Sequence, residues 1–455
     1  MLSRSRVRLS IFTAAAALVA LPAVAQVQQA PAPRAVQPPP APAIRAPAQP
    51  AVQPPAIPGQ VQAAPVPVPL PPAVWDPANV QALAAFIGTI GAEGLNPADY
   101  DVAGLQAAIA SQDVAAISAA ATERFNLVSS DLALGHVRRA ARPAWFMADP
   151  DLDSERQDAL LRSALAAHDV PGALIGLLPT HPQYAALKAA LAATAPEDNV
   201  RRDKIRLNMD RWRWLPRELG PKYIIVNVPG FHATLVENGV NRWKQRAIAG
   251  ALKTPTPQLS AMAVGVVLNP SWEVPPSITG EVAGKKGFVP VMKDGKLIRW
   301  SQPPGPTNAL GRLKFVMYNP QNIYLHDTNA RSRFSSRMRA LSHGCIRTEH
   351  ILDLATELLT DDGGTWKPER IQAQLATGKT KQANFVKPLP VYIVYFTSAA
   401  LLDGRIVEYE DLYGRDKGPL AALNMRDGGA AAFKSKPKPK PKAPVKPAAT
   451  TTAAR

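Results

Sequence analysis

The apolar residues of this chain change their spacing once, near residue 222, and that change limits the folds open to it. Before it they recur every three or four residues. Val80, Leu83, Phe86, Ile87 and Ile90 make one helical face, with Asp76 as N-cap and Pro77 at the first helical position. "VAGLQAAIA", "DSERQDALLRSALAAHD" and "PQYAALKAALAA" repeat the pattern, broken by "GLNPADYD", "ARPAWF" and "LLPTHPQ". After it, "KYIIVNV", "FHATLVENG", "AVGVVLN", "LKFVMY", "NIYLHD" and "PVYIVYF" are short, rich in β-branched and aromatic residues, and divided by Gly, Pro and Asn. The spacing predicts an α+β chain: an N-terminal helical domain over 75–200, a mainly β domain over 222–398, and an extension over 399–425.

The two ends are excluded from that body by composition. Residues 1–25 have a basic start (Arg4, Arg6, Arg8), a short apolar run and a small-x-small site at Ala23-Val24-Ala25, the pattern of a secretory signal peptide cleaved after Ala25. The run is too short and alanine-rich for a span, and no later segment approaches the ~20 apolar residues a transmembrane helix needs. Residues 26–74 are almost wholly Pro, Ala, Val and Gln, a disordered linker by composition. Residues 434–455 form a basic Pro/Lys tail with seven Lys and Arg and no acid. With that tail and the signal set aside, the formal charge of +17 falls to +7 for residues 26–433, so the body lacks the charge pattern of a nucleic-acid-binding domain. The tail reads either as a solvated end or as a means of holding an anionic envelope polymer.

An exported chain meets oxidising conditions, where cysteines usually pair. This one has a single cysteine, Cys345, in "SHGCIR". A lone thiol is either buried and inert or kept for its reactivity. Its surroundings favour reactivity. Alternation in "NIYLHD" puts Tyr324 and His326 on one strand face, and after fifteen intervening residues come Ser342, His343, Gly344 and Cys345. "IRTEHILDLATELL" then has helical spacing, with Ile351, Leu354, Ala355 and Leu358 inward, so the expectation is that Cys345 sits just ahead of a helix N-terminus that favours its thiolate. Gly344 frees the backbone to bring an amide close to a substrate carbonyl. A thiolate that attacks, an imidazole that moves the proton and amides that hold an oxyanion are the parts of acyl transfer. His326 and His343 compete for the base role. A residue two before the nucleophile on a tight turn points elsewhere, which favours His326, with Asp327 or its backbone carbonyl orienting the ring. His136, His168 and His181 stand singly and read as surface or capping residues.

His326 followed by "SHGCIR", with the flanks "QPPGPTNALGRLKF" and "NIYLHDT", resembles the active-site signature of the peptidoglycan L,D-transpeptidases, in particular larger Gram-negative members with an N-terminal helical scaffold. The resemblance spans roughly 75–420. It implies a mainly β catalytic domain in which Cys345 is the nucleophile and His326 the acid/base. It implies that the amides around Gly344 and Cys345, with the Tyr324 hydroxyl, border the oxyanion site. Ser342, His343 and Arg347 would shape the pocket, and "WEVPPSI", with Trp272, would lie on the substrate side. It further implies a periplasmic transferase that acts on peptidoglycan stem peptides, needs no cofactor or metal, remodels the cell wall and is acylated by carbapenems, with a second stem, an envelope protein amine or water as acyl acceptor. Two departures stand out. No peptidoglycan-binding module separates "PQYAALKAALA" from "RRDKIRLNMDRWRWLPRELG", and the stretch from 272 to Pro303 is short where relatives can carry a longer lid. Two rival readings are a zinc peptidase using Cys345, His343, His326 and His350, which lack a familiar ligand spacing, and a non-catalytic envelope-binding protein that keeps the fold.

Overall fold

The computed structural model describes residues 71–148, 151–401 and 404–430; the signal, most of the Pro-rich linker and the basic tail lie outside the described residues. The N-terminal half is helical: α1 (Pro77–Thr89), α2 (Val102–Ala110), α3 (Val114–Leu134), α4 (Ser154–Ala166), α5 (Val170–Ile175), α6 (Pro182–Ala193) and α7 (Asn199–Arg213). Asp76 caps α1 by accepting from Asn79 N–H, with Pro77 in the first turn as expected, and Val80, Leu83 and Ile87 are buried. His181 caps α6 through its ring nitrogen, which accepts from Gln183 N–H.

The second half holds the strands β2 (Lys222–Asn227), β3 (His232–Glu237), β4 (Val240–Gly250), β5 (Gln258–Leu268), β6 (Trp272–Glu273), β7 (Val289–Lys293), β8 (Lys296–Gln302), β9 (Leu313–Met317), β10 (Leu325–His326), β11 (Ala340–Ser342), β12 (Ile346–Thr348) and β13 (Lys381–Val394), with β1 (Trp145–Phe146) supplied by the helical half. β5, β13, β2, β3, β4, β12, β10 and β9 pair in that order, and β9 returns to pair with β5, so the sheet closes on itself. Closure removes the open edges that a sheet otherwise exposes. Its core face is lined by Ile224, Val226, Leu235, Val266, Phe315, Leu325 and Ile346 and packs on helices α9 (Ile351–Asp361) and α10 (Pro368–Ala376). Ile351, Leu354, Ala355 and Leu358 of α9 point inward, as their spacing predicts.

A second core joins the two halves. Trp145, Tyr184, Leu187, Trp212 and Trp214 from the helical half pack with Tyr223, Val236, Tyr392 and Phe396 of the sheet side. The segment after 398, with β14 (Ser398–Ala400), β15 (Ile406–Glu408) and α11 (Lys417–Leu423), also enters this core through Ala422 and Leu423. Beneath it lies a network that corrects one expectation: His136 is neither surface nor cap but 1 % exposed. Its Nδ1 meets Asp131 Oδ2 at 2.6 Å and its Nε2 meets the Met425 carbonyl at 2.8 Å. Tyr100 and Arg138 close on the same carboxylate. Isolation in sequence says nothing about a histidine whose partners are brought by other elements.

The short stretch 272–302 is a unit in its own right. β6, β8 and β7 make a three-stranded sheet, α8 (Thr279–Val282) lies on it, and Val274, Ile278 and Val282 pack with Trp272, Phe288 and Trp300. Among the described residues no helix is long and apolar enough to cross a membrane.

Candidate active site

Strand alternation builds the site. β10 lies between β12 and β9, with Leu325 opposite Ile346 and His326 opposite both Arg347 and Lys314. Leu313, Phe315, Leu325 and Ile346 go to the core. Their neighbours Lys314, Tyr324, His326, Cys345 and Arg347 therefore share the other face. The ladder continues one residue below β10, where Ile346 N–H donates to the Tyr324 carbonyl at 3.0 Å. The Tyr324 and His326 rings lie 5.6 Å apart, edge to face. Cys345 and His326 are diagonal neighbours on this face, a spacing of about 7–8 Å between backbones that side chains can close.

The thiol is partly exposed and donates to the Asn322 carbonyl at 3.6 Å. Asn319 shapes that loop by bonding to both Ile323 N–H and its carbonyl. Burial pushes the Cys345 pKa up to about 11, although the backbone N–H and hydroxyl of Tyr324 both favour the thiolate. The expected helix N-terminus is not there. Cys345 is followed by strand β12, and α9 begins only at Ile351, behind His350 in a left-handed conformation. The helical spacing of "IRTEHILDLATELL" holds for its second half alone, because Ile346 and Thr348 are claimed by pairing with β10 and β4.

His326 is 5 % exposed. Its Nδ1 lies 2.6 Å from the Asp327 carbonyl, and a carbonyl only accepts, so Nδ1 carries the proton and Nε2 keeps the lone pair. Burial, then the Arg347 charge, lowers its pKa to about 3. Asp327 thus orients the ring through its backbone; its carboxylate accepts from Arg312 N–H and pairs with Arg331.

The turn 342–345 is pinned from within and from outside. Gly344 has φ +111°, a conformation L side chains rarely adopt. Its amide donates to Ser342 Oγ at 3.1 Å, and Ser342 Oγ donates to the Cys345 carbonyl at 2.6 Å. The Gly344 amide is therefore already used, which leaves the Cys345 amide, unpaired among the described residues, as the backbone donor beside the sulfur. His343 is exposed, its Nε2 3.2 Å from Glu281 of α8. Trp272 acts on the Tyr324 hydroxyl, lowering a pKa that burial raises.

Three residues of this setting were not singled out by sequence reasoning. Thr256 Oγ donates to the Gly344 carbonyl at 2.7 Å and accepts from Gly250 N–H, and Tyr413 donates to the Gly250 carbonyl at 2.6 Å. Nothing local marks Thr256 or Tyr413. Lys314 had a signal: it is a lone charge in "LKFVMY", on the face opposite Leu313 and Phe315. No group of three or more potential metal-binding side chains occurs among the described residues.

A closed sheet with a thiol, an imidazole and a phenol on one face defines a candidate acyl-transfer site. Residues 221–384 match the L,D-transpeptidase catalytic domain, and residues 72–191 match the scaffold domain. The two matched regions fall in the sheet-bearing and the helical halves, respectively. A Haemophilus influenzae protein named as a candidate L,D-transpeptidase is 31% identical over 251 residues, 49% of this chain and 50% of the relative, so the match spans about half the length of each. Among solved structures, an Enterococcus faecium L,D-transpeptidase mutant overlaps 40% of this chain and 52% of its own at 13% identity and a TM-score of 0.22. The catalytic domain of the E. faecium L,D-transpeptidase acylated by ertapenem overlaps 39% of this chain and 99% of its own at 14% identity and a TM-score of 0.21.

Proposed function

We propose that this chain is a peptidoglycan L,D-transpeptidase acting in the periplasm, with Cys345 as nucleophile and His326 as general base and acid. The observation that carries the reading is the fixed tautomer of His326: the Asp327 carbonyl holds the Nδ1 proton, so Nε2 is left as acceptor on the face that also bears Cys345. In this reaction Nε2 takes the thiol proton as Sγ attacks the carbonyl that joins the L-centre of a diamino acid to the terminal D-residue of a tetrapeptide stem. The oxyanion forms beside the Cys345 N–H and the Tyr324 hydroxyl. The imidazolium returns its proton to the leaving nitrogen, the C–N bond breaks, and the terminal D-amino acid departs, leaving a thioester at Cys345. An amine of a second stem or of an envelope protein, or water, then attacks the thioester and frees the thiol. Ser342 and Gly344 hold the turn, and Arg347, Trp272 and His343 border the substrate.

The test is intact mass analysis of the full chain incubated with purified tetrapeptide stems and each acceptor in turn. The expected result is an acyl adduct on Cys345, release of the D-amino acid, and a product whose mass names the acceptor. A chain that neither gains mass nor releases the D-amino acid would count against the proposal.

A further inference from the structure

Two cations on the active-site face have no anion. Arg347 is half-buried, and its Nε is buried without a hydrogen-bond partner. Lys314 is half-buried too, and its side-chain contact is the Tyr324 ring, 5.4 Å from Nζ. Among the described residues neither makes an ion pair, whereas nearby Arg331 and Arg246 are matched to Asp327 and Glu349. The two flank His326 at one register across β9, β10 and β12. Strands about 4.8 Å apart put their backbones about 10 Å from each other, a gap two long side chains close on one small anion. Arg347 Nε, buried with no hydrogen-bond partner among the described residues, gains a counter-charge only when an anion binds beside it, and Lys314 stands across His326 to share that anion.

We propose that Lys314 and Arg347 form a receptor for a carboxylate lying within one residue of the bond that Cys345 attacks, and that this receptor selects the acyl donor. The inference rests on the transpeptidase reading above. A tetrapeptide stem offers this chemistry from two sources: the free carboxylate of the terminal D-residue, and the carboxylate on the far carbon of the diamino acid. Arg347 sits two residues from Cys345 on the same face, and both cations act on the sulfur and on the imidazole. An anion held between them offsets the positive field that opposes a charged imidazole. Docking of the correct donor thereby eases the proton transfer from thiol to His326.

The experiment measures steady-state release of the terminal D-residue by the full chain, with three donors: the tetrapeptide acid, its C-terminal amide, and the stem amidated on the diamino acid. The enzymes are wild type, Lys314→Met and Lys314→Arg. Wild type should lose on the order of 10–100-fold in kcat/KM with one amide and little with the other, which names the carboxylate. Lys314→Met should lose a similar factor on the acid, mainly in KM, and no longer tell the acid from that amide; Lys314→Arg should regain most of both. Wild type that treats all three donors alike overturns the receptor while leaving the transpeptidase reading intact. So does a Lys314→Met variant that loses the same factor on every donor. No release from any donor overturns the reading and the inference together.

Discussion

In the proposed reaction Cys345 starts as a thiol beside a neutral imidazole, because burial raises one pKa to about 11 and lowers the other to about 3. A group whose pKa is depressed to about 3 stays neutral as pH falls through the usual histidine range, so kcat/KM should run flat from about pH 5 to 9. A step near 6.5 in a rate profile would show that His326 is not so buried in the working enzyme. Cys345→Ala should abolish both adduct and product with the fold retained. His326→Ala should slow acylation by about 10²–10⁴-fold, and His343→Ala, whose ring faces Glu281, should be the milder of the two. If burst kinetics rank the two histidines the other way, the base has been assigned to the wrong one. From the family resemblance, a carbapenem should add its mass to Cys345, and peptide mapping that finds the adduct on a serine would sink the assignment. Cys345 stands out in the sequence as the lone thiol, and the shared face of Tyr324 and His326 is legible because strand alternation places them. The use of the Gly344 amide by Ser342 is not, since it depends on the path of a turn.

At the level of elements, the decisive feature is that Cys345 lies between a turn and a strand. β12 is held on both sides, by β10 and β4, and the turn before it is tied through Thr256 to a Gly250 that Tyr413 also holds. The sulfur is thereby positioned by backbone pairing and not by a helix dipole. A methyl group at Gly344 would stand 3.3 Å from Ile323 Cδ1 at a φ of +111°. Gly344→Ala should therefore cost about 1–3 kcal/mol of strain and slow acylation, both by shifting Cys345 and by pressing on the loop that carries Asn322. Thermal melts and single-turnover acylation of the variant check this, and a Gly344→Ala enzyme with wild-type values of both would remove the turn from the account. The residue pattern predicts helix through 346–350, because Ile346 and Thr348 fit either period over so few residues. Only the presence of two partner strands decides for β.

Across the whole molecule, the helical half and the sheet share a core, and the buried His136–Asp131 pair sits where α3, α7 and the segment around Met425 meet. Burial works against charge on His136, but Asp131 outweighs it and raises the pKa to about 9. A histidine raised above its unfolded value of about 6.5 contributes stability that is full below pH 6.5 and is lost as pH climbs through 9. Melting temperatures of wild type should therefore fall between pH 6.5 and 9.5 more steeply than those of His136→Gln, and parallel curves would refute the pairing. Asp131→Ala, which strands a buried imidazolium, should cost about 3–5 kcal/mol.

The sequence alone determined the change from helix to strand, the inward faces of α1 and α9, the shared face of Tyr324 and His326, and the thiol worth watching, since each follows from local period or composition. Tertiary structure decided what depends on meeting a distant partner: closure of β9 onto β5, the strand that follows Cys345, the small sheet over 272–302, and the burial of His136. It also decided that Lys314 and Arg347 flank His326, because register between strands is set by the packing of their core faces and not by either strand alone.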